Sequence, residues 1–143
     1  MKHICTLLLL LTSAAFGQTD RTYIPSARPT LPFSDAVIVG DTIYIAGHIG
    51  VDPKTNKVPD KVEDEARLVM DGIKKTVEAG GATMDDLVSV QVFCSDVAHY
   101  DAFNAVYRTY FTGKFPARAF IGSGKMLFNA RFEVMGIAVK RKK

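Results

Sequence analysis

The chain has 143 residues, 48% of them hydrophobic and 23% charged, with two cysteines and no tryptophan. That length suits one domain, and the composition excludes disordered, collagen-like and disulfide-scaffold classes. The net charge of +3 comes from 18 Lys and Arg against 15 Asp and Glu, but setting aside Lys2 and the final Lys140, Arg141, Lys142 and Lys143 leaves 13 bases against 15 acids. The basicity is a tail and offers no nucleic-acid-binding stripe.

Residues 1–17 have the pattern of a cleaved secretory signal peptide. Lys2 supplies the basic start, Leu7 to Leu11 the apolar centre, and Ala15-Phe16-Gly17 a small-x-small cleavage site. The apolar run falls short of the ~20 residues a membrane span needs. The expectation is an exported protein, periplasmic or secreted, with no membrane attachment after cleavage. Cys94 would then be its only cysteine, which excludes an internal disulfide.

Residues 18–32 contain Pro25, Pro29 and Pro32 and read as an extended segment leading into a single domain over 33–143. Phe33 to Val39 and Thr42 to Gly47 are strand-like, with Gly40-Asp41 as a two-residue hairpin turn. From about Asp60 to Ala79, Val62, Ala66, Val69, Met70, Ile73 and Val77 fall at helical spacing. Acids fill the first turn of that helix and Gly80-Gly81 stops it. A strand over Leu87 to Cys94 follows. Asp96 then caps a second helix, reaching about Phe111, with Tyr100, Phe103, Tyr107 and Phe111 on its buried stripe. Strands near Ala117 to Gly122 and Arg131 to Lys140 close the chain. The order ββαβαββ predicts an α+β sandwich, one mixed sheet with two helices on one face. The last strand is apolar on both sides except at Glu133, so the second sheet face is expected to be buried as well, by other subunits.

No histidine, cysteine or carboxylate spacing suits a metal, and Gly122-Ser123-Gly124-Lys125 reads as a turn, not a phosphate loop. A lone His48 after a strand is more often a packing residue than a proton carrier, and Asp85-Asp86 are expected to face solvent. A charge asymmetry is more informative. From Ala102 onward the only acid is Glu133, against nine bases. An ionised carboxylate in so apolar a strand needs a partner. Either it pairs structurally with an arginine or it polarises a ligand in a pocket. Arg118 has the same ambiguity: it projects from an apolar strand, suited to bidentate capture of a small carboxylate or to pairing with Glu133. Asn104, between Phe103 and Ala105 on the second helix, is the third candidate.

Ile45-Ala46-Gly47-His48-Ile49, Asp52-Pro53-Lys54-Thr55, Asn104-Ala105-Val106-Tyr107, Phe115-Pro116-Ala117-Arg118 and Phe132-Glu133-Val134 together resemble the successive signatures of the Rid (reactive intermediate deaminase, YjgF-type) family. The resemblance runs from about residue 32 to the C-terminus. It implies a chorismate-mutase-like fold, a homotrimer with pockets between subunits, no cofactor, and hydrolysis of reactive 2-imino or 2-enamino acids to 2-oxo acids and ammonia. Arg118 would clamp the substrate carboxylate. Glu133 would position the attacking water or move its proton, and the backbone carbonyl of Phe120 would hold that water. Gly47 would allow close approach and Asn104 would support the pocket. Where many deaminases of this family carry tyrosine, serine and cysteine, this chain has Phe33, Ala46 and Phe120, which predicts a more apolar, more crowded pocket. Those losses keep open an alternative, a module that binds small carboxylates in the same cleft without turning them over.

Overall fold

The structure is a computed structural model that describes residues 20–28 and 30–141. The expected signal peptide, Pro29 of the lead-in segment and the last two lysines lie outside these residues. Six strands and two helices follow one another as β1 (Arg21–Pro25), β2 (Ser34–Val39), β3 (Thr42–Ile49), α1 (Val62–Ala79), β4 (Leu87–Cys94), α2 (Tyr100–Tyr107), β5 (Ala117–Gly122) and β6 (Phe132–Val139). They form one mixed sheet in the order β1-β2-β3-β6-β4-β5, with β4 and β5 its one parallel pair and α2 lying between them in the chain. The α+β architecture matches expectation, with one strand more than expected. The extended segment contains β1, which pairs antiparallel with β2 and covers what would otherwise be an open sheet edge.

The local signals act as their chemistry requires. Gly40, at φ 59°, takes the first turn position between Val39 and Thr42, where a side chain would be strained. Helix α1 ends in a double bond pattern, Gly81 N–H to Glu78 C=O at 2.9 Å and Ala82 N–H to Val77 C=O at 3.1 Å, with Gly81 in the left-handed region at φ 80°. Its stripe of Ala66, Val69, Met70, Ile73 and Val77 is fully buried against Ile43, Ile45 and Val134 of the sheet. Each large side chain in that layer contributes about 1.5–3 kcal/mol.

Two expectations need correction. The second helix is shorter than its pattern suggests: 3₁₀ turns at Val97–His99 and Arg108–Tyr110 flank α2, and Tyr100 is 45% exposed, so only Phe103 and Tyr107 of its stripe are fully buried. Glu65, an acid of the first helical turn, is completely buried. Its carboxylate accepts from the backbone N–H of Arg131 (2.5 Å) and Phe132 (3.1 Å) and from Arg131 Nη1 (2.7 Å). A glutamate–arginine pair that the sequence reading did not foresee, between buried Glu65 and partly buried Arg131, ties α1 to the start of β6.

Register sorts the sheet into two faces. Ile45, Gly136, Val90 and Arg118 form one row across β3, β6, β4 and β5, and His48, Val134, Val92 and Phe120 the next. Both rows face the helices. The alternate rows, including Tyr44–Ile137–Ser89 and Ile49–Glu133–Phe93–Ile121, face away from them. On that open side Tyr44 is 50% and Ile121 40% exposed.

Candidate active site

Helix α2 carries Tyr100, Asn104 and Tyr107 on one side, since residues three and four apart stack along a helix. Arg108 continues the stripe just past the helix end, where its cation suits the negative pole of the dipole. With Phe115, Pro116 and Arg118 of the following turn and edge strand, these residues line a cleft of about 220 Å³. That is small beside the ~300–1,000 Å³ of drug-sized sites and suits a molecule of up to about ten heavy atoms.

Arg118 is held by aromatic faces. Its guanidinium carbon lies 4.5 Å from the ring centre of Tyr107, 5.8 Å from that of Phe120 and 5.9 Å from that of Tyr100. Such contacts orient a cation and leave its N–H groups available. Among the described residues Arg118 has no acidic partner. Burial pushes the Tyr107 phenol up to about 12, with Arg118 pulling the other way, so this wall of the cleft stays neutral at working pH. The Tyr107 hydroxyl is itself buried without a hydrogen-bond partner among the described residues. Phe120 is not among the lining residues of the cleft; its ring packs on Tyr100 (4.9 Å) and Phe103 (5.7 Å).

Glu133 occupies the other face. It sits opposite Ile49 and Phe93, and its carboxylate presses on Gly47, where any Cβ would collide with Oε1. Positions 133 and 136 differ by an odd number, and Gly136 shares the Arg118 row, so the sheet separates Glu133 from Arg118 within one chain. The two do not form the structural ion pair that was one option for both. Among the described residues Glu133 makes neither an ion pair nor a side-chain hydrogen bond. Phe33 lies exposed just before β2 and does not line the Arg118 cleft. The candidates therefore fall into two groups: Arg118, Asn104 and Phe120 beside α2, and Glu133 with Gly47 on the open face.

His48 is a packing residue. Its ring bridges the Ala46 carbonyl and the Thr76 hydroxyl, both at 2.9 Å. Asp85 and Asp86, expected to face solvent, are structural instead. Asp85 accepts from the Thr112 backbone and hydroxyl, and Asp86 caps the turn at Thr83 and meets Arg141 of the basic tail at 2.7 Å. No group of three or more potential metal ligands occurs among the described residues. Sequence reasoning placed Tyr107 in the buried stripe and counted Arg108 only as charge. Their spacing from Asn104, three and four residues, was the signal that all three share one side of α2.

The chain matches the family model described as "Endoribonuclease L-PSP" over residues 25–140. It is 39% identical over 113 residues to the 2-iminobutanoate/2-iminopropanoate deaminase of Dermatophagoides farinae, covering 78% of this chain and 88% of that one. It is 35% identical to the protein of the same name from Escherichia coli K12, covering 77% and 88%. Among solved structures, that of the YjgF gene product of E. coli matches with TM-score 0.75 and 34% identity, covering 83% of this chain and 94% of that one. The structure of E. coli TdcF with bound serine matches with TM-score 0.75 and 28% identity, covering 83% and 94%. With that match spanning β2 to β6 and both helices, this chain belongs to the L-PSP family, the Rid or YjgF-type deaminases.

Proposed function

We propose that the protein hydrolyses 2-imino or 2-enamino acids to 2-oxo acids and ammonia in clefts between the subunits of an exported homotrimer. The observation that carries this reading is Arg118: a guanidinium oriented by three aromatic rings in a small cleft, with no acid among the described residues to neutralise it. A substrate carboxylate completes it through two parallel N–H···O bonds. The deaminase names of relatives at 35–39% identity supply the reaction class.

The intersubunit site follows from the two-faced arrangement. Arg118 and Glu133 can act on one molecule only if Glu133 comes from a neighbouring chain. The open face that bears Glu133 is also apolar, with Tyr44, Ile121 and Val139 exposed, which suits burial against other subunits. In the reaction, Arg118 fixes the carboxylate and so places C2 of the imine. Glu133 takes a proton from the attacking water as its oxygen bonds to C2. That proton passes to nitrogen to give a carbinolamine; a second proton then moves from the new hydroxyl to the amino group, and the C–N bond breaks as the C2=O bond forms, releasing ammonia and a 2-oxo acid. The Phe120 carbonyl is the second acceptor for the water, a role its side chain does not affect. No cofactor is needed, and export rests on the pattern of residues 1–17.

The test is a coupled assay in which an amino-acid oxidase or a dehydratase generates imine. Wild type should remove it faster than it decays in water, and Arg118→Ala should not. Equal rates for both, neither above the spontaneous rate, would refute the proposal. The packing of Phe120 on Tyr100 and Phe103, in place of a free polar group, favours a second reading as a binding module. Arg118-dependent thermal stabilisation by 2-oxo acids without turnover would establish that reading.

A further inference from the structure

The cleft beside α2 holds a second positive charge that the deamination chemistry does not use. Arg108 and Arg118 both line it, and none of its seven lining residues is acidic. Arg108 makes neither an ion pair nor a side-chain hydrogen bond among the described residues. The two guanidinium groups approach from different elements. Arg118 comes from strand β5, and Arg108 from the end of α2, four residues after Asn104 and eight after Tyr100 on the same stripe. One monocarboxylate satisfies Arg118 and leaves Arg108, exposed beside it, with no anionic partner among the described residues.

We infer that Arg108 selects substrates carrying a second anionic group, so that the preferred imines are those of acidic amino acids, 2-imino acids with a side-chain carboxylate. This rests on the deaminase reading for the reaction but on the cleft alone for the charge preference. Arg118 takes the carboxylate next to the reacting carbon, as for any 2-imino acid. Arg108 takes the distal carboxylate at the cleft mouth, where its exposed side chain can adjust to chain length. Between them Tyr100, Tyr107 and Phe115 offer apolar surface to the methylene groups, and Asn104 offers a neutral amide. The buried Tyr107 hydroxyl, unpartnered in the free protein, is one further donor that a small side-chain movement could bring to a bound oxygen.

The test compares two stable 2-oxo acids of equal length, 2-oxoglutarate and 2-oxopentanoate, which differ in a terminal carboxylate against a methyl group. Dissociation constants are measured by calorimetry on the full-length oligomer. Wild type should bind the diacid at least about tenfold more tightly, the scale of one charge-assisted contact at a partly exposed site. Arg108→Ala should bring the ratio close to one, and Arg108→Lys should keep most of it because the charge survives. The wild-type ratio should also shrink as salt rises. An unchanged ratio in Arg108→Ala, or a wild type that prefers the monoacid, would overturn the inference. A failed imine assay with the diacid preference intact would instead remove the deaminase reading and leave the charge selection standing. Failure of both acids to bind would overturn the charge selection and leave the deaminase reading to the imine assay.

Discussion

The Arg118 cleft and the Glu133 face are built by opposite rules from the same sheet. Around Arg118 the edge strand is overlaid by α2, and aromatic rings hold a cation in a small hollow. Around Glu133 a middle strand carries no helix above it among the described residues, and one carboxylate sits on a glycine among apolar side chains. Each side holds a charged group with no opposite charge beside it among the described residues. The lesson is that one chain presents its two candidate charged groups on opposite faces of one sheet, and that the proposed assembly is what would join them.

Mixing subunits is the strongest way to break this comparison. Arg118→Ala and Glu133→Gln should each lower kcat/KM for imine hydrolysis by about 100-fold or more, because one loses the carboxylate clamp and the other the proton acceptor. Co-refolded in equal amounts, the two inactive variants should recover about one quarter of the wild-type rate, the statistical share of interfaces with both intact residues. No recovery would mean that both groups act from one chain. Removing the Glu65 partner of Arg131 tests the structural ion pair separately. Glu65→Ala should cost about 3–5 kcal/mol in denaturant unfolding, because it leaves a half-buried guanidinium and two backbone donors without their acceptor.

Gly47→Ala sharpens the Glu133 side. The added Cβ must displace the Glu133 carboxylate, so kcat/KM should fall about tenfold or more, with a much smaller change in stability because the clashing atom ends a flexible side chain. The smallest effect belongs to the cleft wall. Tyr107→Phe should change stability at neutral pH by under about 1 kcal/mol, since its hydroxyl has no partner to lose. The Tyr107 phenol is raised when folded, so its contribution to stability is complete below the ordinary tyrosine value of about 10 and is lost as pH climbs through about 12. Wild type should therefore lose stability over that alkaline range more steeply than Tyr107→Phe. Parallel curves would show that Tyr107 is more solvated than its position implies.

Much of this was legible from residue order. The hairpin at Gly40, the stop at Gly81, the strand over Leu87–Cys94 and the stripe of α1 are local, because each depends on backbone preference and spacing within a few residues. The candidate site was half legible. Arg118 and Glu133 stood out as charges in apolar strands, and that contrast survives folding. The parity of their positions was also readable, but its meaning was not, because which face each residue takes depends on the register of β6 against β4 and of β4 against β5.

The sequence by itself determined the element types, the apolar stripes, the family signatures and the identity of the two charged groups, all consequences of short-range chemistry. Only the tertiary structure decided that buried Glu65 pairs with partly buried Arg131, that Arg108 joins Arg118 in a cleft with no acidic lining residue, and that the sheet stands between Arg118 and Glu133. Those outcomes depend on long-range strand register and helix docking, where a one-residue shift would turn every side chain to the opposite face.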